Sequence, residues 1–214
     1  MMTGLSMQAT MGFVDPVLGS QEAFREILNA MAYPGKIVTL SGAAMVPHGV
    51  HGAAWIVLLT LVDETVRLWT DLPEDHEAHR ALHFLTRVQI VHDTADVDFV
   101  LITDPMALSE PYAFRIGSEL DPQLGATLIL QQSCLTECAD SARNESLILS
   151  GPGIPHIRRL WAEGCPPSFW DWRVNLERLY PRGVDLLLTH RSSFVAIPRS
   201  VLVQRRRDYL CMSR

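Results

Sequence analysis

The chain has 214 residues, of which 48% are apolar and 20% charged, and a net charge of −6. This length and composition suit one globular domain with a sizeable core and exclude a disordered chain. The acidic balance argues against a general nucleic-acid binder, which needs a basic face. The first residues lack the basic and apolar regions of a signal peptide, and the longest apolar run, 53–62, is too short to cross a bilayer. We therefore expect a cytoplasmic protein with no membrane or nucleic-acid partner.

The first half of the chain alternates predicted helices and strands. Residues 20–33 predict a helix capped by Ser20 and ended by the following proline. Its inward apolar stripe is predicted to comprise Phe24, Ile27, Leu28 and Met31. The next predicted elements are a strand at 36–40, a buried helix at 51–62, a strand at 66–70, an amphipathic helix at 75–85, and strands at 88–91 and 98–103. Residues 105–120 are expected to be partly helical.

The second half is richer in strands. The predicted elements are a strand at 126–131, a polar turn at 136–144, strands at 147–149 and 184–189, a helix at 168–179, and a closing hairpin of 194–197 and 201–203. Together the elements predict an α/β fold, with a three-layer-like mixed sheet and flanking helices. We expect a single domain over 12–204, between a disordered N-terminus (1–11) and a basic C-terminal tail (205–214).

The run Gly151-Pro152-Gly153 is a strong turn signal. Glycine can adopt φ > 0 and proline fixes one dihedral, so strand 147–149 is expected to end at a rigid corner. The apolar residues that follow have helical spacing: Ile154, Ile157, Leu160 and Trp161. A strand, a tight glycine turn and a helix can present backbone N–H groups to an anion, but they can also simply turn a corner. Both interpretations stay open.

No complete metal or catalytic motif is present. His79 and His83 lie four residues apart on a predicted helix and could share a metal, but a solvated helix face is the simpler explanation. Cys134 and Cys138 lack the second closely spaced pair of a zinc ribbon. The chain contains no Walker A, G-x-G-x-x-G or G-x-S-x-G motif. We therefore expect no catalytic residue and no bound metal.

The chain contains a single lysine, Lys36, next to a predicted turn. An enzyme that uses pyridoxal phosphate needs a lysine to form its Schiff base. A lysine beside a turn is usually only solvated. Even a fold related to pyridoxal enzymes would therefore be expected to lack the cofactor here.

Several motifs together resemble one family. They are GFVDP at 12–16, MAYPG at 31–35, GATLIL at 125–130, LSGPGI at 149–154, YPRGVDL at 180–186 and AIPRS at 196–200. In this order and spacing they are similar to the PhnH family, whose members belong to the carbon–phosphorus lyase core complex of phosphonate metabolism. The chain departs from the family at Tyr180 and Arg182, where phenylalanine and leucine are more common.

The resemblance implies a fold and a role. The fold would be similar to a vestigial pyridoxal-phosphate-dependent transferase without its cofactor, and homodimeric when isolated. The role would be that of a subunit that works with three others to displace adenine from a nucleoside triphosphate and join an alkylphosphonate to ribose C1. The family has no established catalytic residue to transfer to this chain.

Seven residues are the candidates for ligand or partner contact: Gly151, Pro152, Gly153, Trp170, Arg173, Asp185 and Arg199. Trp170 and Arg173 fall on the predicted outward side of helix 168–179, whose inward residues are predicted to be Phe169, Trp172, Leu176 and Leu179; core packing and partner contact both stay open for this segment. One alternative is a free-standing enzyme with an anion site at the glycine turn, where Arg173 or Arg199 would pair with phosphate. Another is a metal-binding protein that uses His79 and His83.

Overall fold

The computed structural model describes residues 10–43, 45–109, 112–137 and 145–207. The α-helices in these ranges are α1 (Pro16–Ala32), α2 (Gly52–Leu61), α3 (Glu77–Thr86) and α4 (Pro167–Leu176). The strands are β1 (Val38–Thr39), β2 (Arg67–Thr70), β3 (Gln89–Ile90), β4 (Phe99–Ile102), β5 (Thr127–Gln131), β6 (Cys134–Glu137), β7 (Glu145–Gly151), β8 (Ile154–Glu163), β9 (Asp185–His190), β10 (Ser193–Ile197) and β11 (Leu202–Arg207). Short 3₁₀ helices occur at Pro105–Ala107, Pro122–Leu124 and Glu177–Leu179.

Seven strands form a mixed sheet in the order β1-β10-β9-β5-β4-β2-β3. Strand β10 is antiparallel to both β1 and β9, and every other neighbouring pair is parallel. The six remaining strands of this sheet therefore point the same way, and their carboxyl ends meet at one edge. Strand β5 is apolar on both faces, as a buried parallel strand requires. The predicted α/β class and mixed sheet are confirmed.

The sheet is the middle of three layers. Helices α1, α2 and α3 cover one face, where they pack on side chains such as Ile129. The other face, which includes Leu128 and Leu130, packs on α4 and on a second sheet of order β11-β7-β8-β6. Full burial of each leucine side chain stabilises the fold by roughly 1.5–3 kcal/mol. The flanking helices are confirmed, and the second sheet in an outer layer is a finding that the sequence pattern did not predict.

Helix α1 begins earlier than predicted. Asp15 is its N-cap, since one carboxylate oxygen accepts hydrogen bonds from Val17 N and Leu18 N at 3.0 Å each. Ser20 lies inside the helix and donates its hydroxyl to the Pro16 carbonyl oxygen at 2.6 Å. The prediction of Ser20 as the cap was therefore wrong, because the aspartate and the proline after it form a stronger start signal.

The predicted inward stripe of α1 was also only partly right. Ile27 is buried, but Phe24 is 47% exposed and Leu28 is 52% exposed. The helix buries Ala23 and Ala30 instead. Small side chains allow α1 to approach the rest of the layer closely, and they leave larger apolar groups on the outside.

The segment after the glycine turn is a strand, not the predicted helix. Strand β8 pairs antiparallel with β7 on one side and with β6 on the other. Ile154 and Leu160 are buried, whereas Ile157 is 55% exposed. Residues 154 and 160 lie on one face of a strand, whereas residues 154, 157 and 161 have helical spacing. The pattern was therefore ambiguous, and pairing on two sides decides it.

The predicted closing hairpin was wrong as well. Strand β10 stays in the large sheet, whereas β11 crosses to the small sheet and pairs with β7. In the described parts of this segment, 105–109 and 112–120, the only helical turn is Pro105–Ala107. The start of the predicted polar turn belongs to β6, and its remainder, 138–144, lies outside the described residues. So do 1–9 and 208–214, although Arg205, expected in the tail, pairs with Leu147 in the small sheet.

Helix α2 matches the predicted buried helix. Its ten residues are almost all apolar, and Ala53, Val57 and Leu58 are fully buried. At 1.5 Å per residue the helix is roughly 15 Å long, about half the thickness of a bilayer core. In the part of the chain that the structure describes, no helix combines the length and apolar character needed to span a membrane.

Candidate functional site

A cleft of about 300 Å³ opens beyond the carboxyl ends of β2 and β4. The chain leaves β2 for β3 on one side and leaves β4 for β5 on the other, so the strand order reverses between them. Open α/β sheets bind ligands at such a reversal, outside the carboxyl ends of the strands. The lining residues include Trp69, Asp71, Asp104, Leu108, Tyr112 and Phe114.

Asp71 fixes one end of this cleft. Its carboxylate accepts hydrogen bonds from Thr103 N at 2.8 Å and 2.9 Å, and from Asp104 N at 2.9 Å. Thr103 also donates its hydroxyl at 3.0 Å. The loop after β4 is thus tied to the loop after β2. Asp71 therefore has a positioning role, because most of its acceptor capacity is used inside the protein.

Aromatic rings form another wall of the cleft. Tyr112 and Phe114 each lie against Trp172, at centroid distances of 5.5 Å and 5.8 Å. Tyr112 also packs edge-on against the buried Phe169, and its hydroxyl lies 2.9 Å from the Ser168 hydroxyl. Aromatic pairs in these arrangements add about 0.5–1.5 kcal/mol each beyond their buried area. This wall is preformed and largely apolar.

The lining suits a neutral or aromatic group better than a bare phosphate. Two carboxylates, Asp71 and Asp104, line the cleft, and none of its described lining residues is cationic. Lys36 lies on the other side of the molecule, because it precedes β1 and so sits at the amino ends of the parallel strands. Lys36 is exposed there. The cleft therefore holds no amine that could form a Schiff base.

The Gly151-Pro152-Gly153 segment is the turn of a β-hairpin between β7 and β8. Gly151 has φ +134° and Gly153 has φ +80°. A Cβ at Gly153 would lie 2.2 Å from the Ala32 carbonyl oxygen and 2.7 Å from Pro34 Cδ. The turn packs against the end of α1, and no helix follows it. It lacks the helix N-terminus on which the predicted anion site depended.

Asp185 and Arg199 are brought together in a partly buried ion pair. Arg199 Nη2 lies 2.5 Å from Asp185 Oδ2, and Arg199 N donates to Asp185 Oδ1 at 2.7 Å. The same guanidinium donates to the Pro122 carbonyl oxygen and contacts that of Gly125 at 3.4 Å. Only 15% of each side chain is exposed. The ion pair fixes the turn between β10 and β11 against the start of β9. The guanidinium N–H groups of Arg199 are directed to acceptors within the protein.

Trp170 and Arg173 face inward, contrary to the prediction. Trp170 is 3% exposed and Arg173 is 1% exposed. Arg173 Nη2 donates to the carbonyl oxygens of Pro198 and Val201 at 3.1 Å each, and Nη1 lies 3.7 Å from Glu177 Oε1. Burial lowers the pKa of Arg173, and the Glu177 carboxylate opposes that shift. An amphipathic helix buries one face, but α4 buries more than one, because β11 packs over it.

The proposed metal residues are not joined by a third ligand. His79 Nδ1 lies 3.1 Å from the Glu74 carbonyl oxygen, and His83 is exposed on α3. Among the described residues, no group of three or more His, Cys, Asp or Glu side chains is arranged to hold a metal ion. Cys134 lies on β6, and its proposed neighbour Cys138 is outside the described residues.

A pair of histidine side chains lies at the carboxyl edge of the large sheet, and the sequence analysis assigned no role to either of them. His51 precedes α2, and His190 ends β9. Their rings are edge-to-face with centroids 5.7 Å apart. Burial lowers the pKa of His51, and the nearby His190 and Arg191 lower it further, against a backbone hydrogen bond at Thr189. The two histidines are far apart in sequence, so only the strand order reveals the pair.

The fold is that of an α/β protein, and comparison places the chain in the class of bacterial phosphonate metabolism proteins. The chain belongs to the PhnH family, described as "Bacterial phosphonate metabolism protein (PhnH)", which matches residues 11–204. The resemblance seen in the sequence motifs is confirmed.

Two curated relatives cover most of the chain. The "Alpha-D-ribose 1-methylphosphonate 5-triphosphate synthase subunit PhnH" of Rhizobium meliloti (strain 1021) is 29% identical over 206 residues, which are 95% of this chain and 100% of the relative. The "Putative C-P lyase subunit protein HtxG" of Stutzerimonas stutzeri is 31% identical over 182 residues, 84% of this chain and 83% of the relative.

Proposed function

We propose that this chain is a non-catalytic subunit of a carbon–phosphorus lyase core complex in the cytoplasm. In that complex it would be needed to form ribose 1-phosphonate triphosphate from a nucleoside triphosphate and an alkylphosphonate. The observation that carries the proposal is the family match over residues 11–204, together with two relatives that are both named as subunits. The transferase or lyase chemistry would belong to the partners.

The architecture supports the absence of a pyridoxal cofactor. A mixed, mostly parallel sheet with a cleft at its topological switch point is compatible with a vestigial pyridoxal-phosphate-dependent transferase. A Schiff base would need an amine in that cleft. The single lysine lies at the opposite edge of the sheet. We therefore keep the proposal of a transferase-like scaffold that works without the cofactor.

A subunit needs a contact surface, and we assign it to the outer side of α1. Val17 is 65% exposed, Phe24 47% and Leu28 52%. At 100° per residue these three side chains fall within one narrow stripe of the helix. Exposed apolar stripes of this kind commonly mark protein contacts. This stripe replaces Trp170, one of the candidate contact residues from the sequence, because Trp170 is buried. Its proposed occupant is a partner subunit of the complex.

Co-purification tests the assembly. A tagged chain from cells grown on methylphosphonate as sole phosphorus source should retain its partner subunits, and Phe24→Asp should lose them. Leu120→Asp is the control, because Leu120 is 92% exposed but lies outside α1. Light scattering of the isolated variants tests the proposed homodimer. A Phe24→Asp chain that becomes monomeric yet still binds the partners would assign the stripe to the homodimer instead.

The alternative, a free-standing protein with an anion site at Gly151–Gly153, makes a different prediction. It requires binding or turnover by the isolated chain that is lost when the turn is altered without loss of stability. The packing of Gly153 against Ala32 and Pro34 favours a structural role for the turn. We therefore rank the role as a complex subunit first.

A further inference from the structure

A cluster of two histidines and one arginine lies at the carboxyl ends of β5 and β9, outside the cleft described above. It comprises His51, His190 and Arg191. His190 is the last residue of β9, and Arg191 begins the two-residue turn to β10, since His190 pairs with Ser193. His51 is the residue before α2, whose positive end faces the same region. The end of β9, the turn after it and the start of α2 thus place three basic side chains at one edge of the sheet.

Both histidine rings are oriented by backbone carbonyl groups. His51 Nδ1 lies 3.1 Å from the Thr189 oxygen, and His190 Nδ1 lies 2.9 Å from the Gln132 oxygen. A carbonyl oxygen only accepts, so each Nδ1 must carry the hydrogen. Each Nε2 is then the free nitrogen, and neither has a hydrogen-bond partner among the described residues. This arrangement holds two Nε2 atoms ready for a ligand.

The loop that carries His51 is itself fixed. His51 N donates to Gln131 Oε1, and Gln131 Nε2 donates to the Gly49 carbonyl oxygen at 3.0 Å. Gln131 is the last residue of β5 and is 5% exposed. A buried glutamine thus positions the backbone on which one of the two histidines stands. The cluster is preorganised by the sheet rather than by a mobile side chain.

Arg191 occupies a backbone conformation that favours glycine. Its φ is +53°, which costs most side chains on the order of 1 kcal/mol or more. Its carbonyl oxygen accepts a hydrogen bond from Ala53 N at 2.8 Å, a bond that any residue could provide. The guanidinium has no hydrogen bond or ion pair within the described chain. The arginine side chain therefore adds nothing visible to the fold, although its backbone is strained.

We propose that His51, His190 and Arg191 bind a tetrahedral oxyanion, and the choice of the phosphonate or terminal-phosphate class rests on the proposed function. A neutral ring accepts a hydrogen bond from a P–OH group at Nε2, and a protonated ring donates one to a P–O⁻ oxygen. The guanidinium supplies a bidentate charge-assisted contact, and the first turn of α2 adds a favourable dipole. No carboxylate forms an ion pair with any of the three residues in the described ranges, so the charge of the Arg191 guanidinium is uncompensated there.

Calorimetric titration of the isolated full chain with inorganic phosphate and with methylphosphonate tests this site. We expect binding of at least one of them, and Arg191→Gly should weaken it at least tenfold. The melting temperature of this variant should be unchanged or higher, because relief of left-handed strain offsets the greater unfolded-chain entropy of glycine. Arg87→Gly is the matched control: Arg87 has φ +60° and caps α3, so it should change stability in the same way without affecting the anion.

A second variant separates the ring nitrogens. His190→Asn can keep a donor toward the Gln132 carbonyl oxygen but removes Nε2, so it should weaken anion binding while the fold is retained. His48→Asn, in the loop before α2, is the control and should bind normally. No binding by the wild-type chain at millimolar phosphate or methylphosphonate would overturn the proposal. So would unchanged affinity in Arg191→Gly, or zinc binding by the two histidines without any anion binding.

Discussion

Substitution of Gly153 by alanine measures what the hairpin turn contributes. The new Cβ would lie 2.2 Å from the Ala32 carbonyl oxygen, where real Cβ atoms are not found, and the residue would keep φ +80°. The left-handed conformation costs about 1 kcal/mol for alanine, and displacement of packed backbone adds about 1–3 kcal/mol. We expect a total loss of about 2–4 kcal/mol, which for a chain of this size is a fall of roughly 4–16 °C in melting temperature.

Gly49→Ala provides the matched control for that measurement. Gly49 has φ +75°, almost the same as Gly153, but a Cβ there would meet no atom within 4 Å. It should lose only the conformational part, about 1 kcal/mol. Thermal and urea unfolding of both variants give the two values. Equal losses would refute the argument that the turn is packed against α1, and a Gly153→Ala chain of wild-type stability that lost ligand binding would make the turn a ligand site.

Three further predictions concern buried polar groups and thiols. Asp185→Ala should destabilise the chain by about 3–5 kcal/mol in urea unfolding, because it leaves Arg199 partly buried without its carboxylate. Asp71→Ala should lower the free energy of unfolding by about 1–3 kcal/mol and accelerate hydrogen exchange at the Thr103 and Asp104 amides, which donate to the Asp71 carboxylate in the wild-type chain. Cys165 should resist alkylation at pH 8 while the folded chain reacts at Cys134, since burial raises the pKa of the Cys165 thiol to about 12.

Each of these has an outcome that contradicts it. An exposed ion pair is the control for Asp185: Glu64→Ala, opposite Arg87, should cost less than 1 kcal/mol. Similar losses in the two variants would mean that burial of the Asp185 pair is unimportant. Unchanged exchange in Asp71→Ala would remove its positioning role. Peptide mapping that finds Cys165 alkylated as fast as Cys134 would contradict the shielding of its thiol.

The sequence patterns that predicted the fold correctly were those that fit only one kind of structural environment. Helix α2 is apolar on all sides, and β5 is apolar and partly β-branched, so each could only be buried. Local composition and turn chemistry were sufficient for these elements.

The wrong predictions concerned segments whose structure depends on contacts with residues far away in the sequence. The spacing of Ile154, Ile157 and Trp161 fits a helix, whereas that of Ile154 and Leu160 fits a strand, and pairing with β6 and β7 selected the strand. Arg173 was expected to face outward because charge usually does, but Pro198 and Val201 offer carbonyl acceptors to it in the interior.

The two histidines of the proposed anion site were missed for the same reason. His51 and His190 meet only because β5 and β9 are parallel neighbours. Nothing in the sequence near either histidine marks the other as its partner.

The most direct test of the account, in which this chain works only within the complex, is an omission assay of the reconstituted complex. Adenine release from a nucleoside triphosphate in the presence of methylphosphonate is measured for the complete complex, for the complex without this chain, and for this chain alone. The account predicts turnover by the complete complex, a clear loss without this chain, and none from the chain alone. Turnover by the isolated chain, or undiminished turnover without it, would contradict the account.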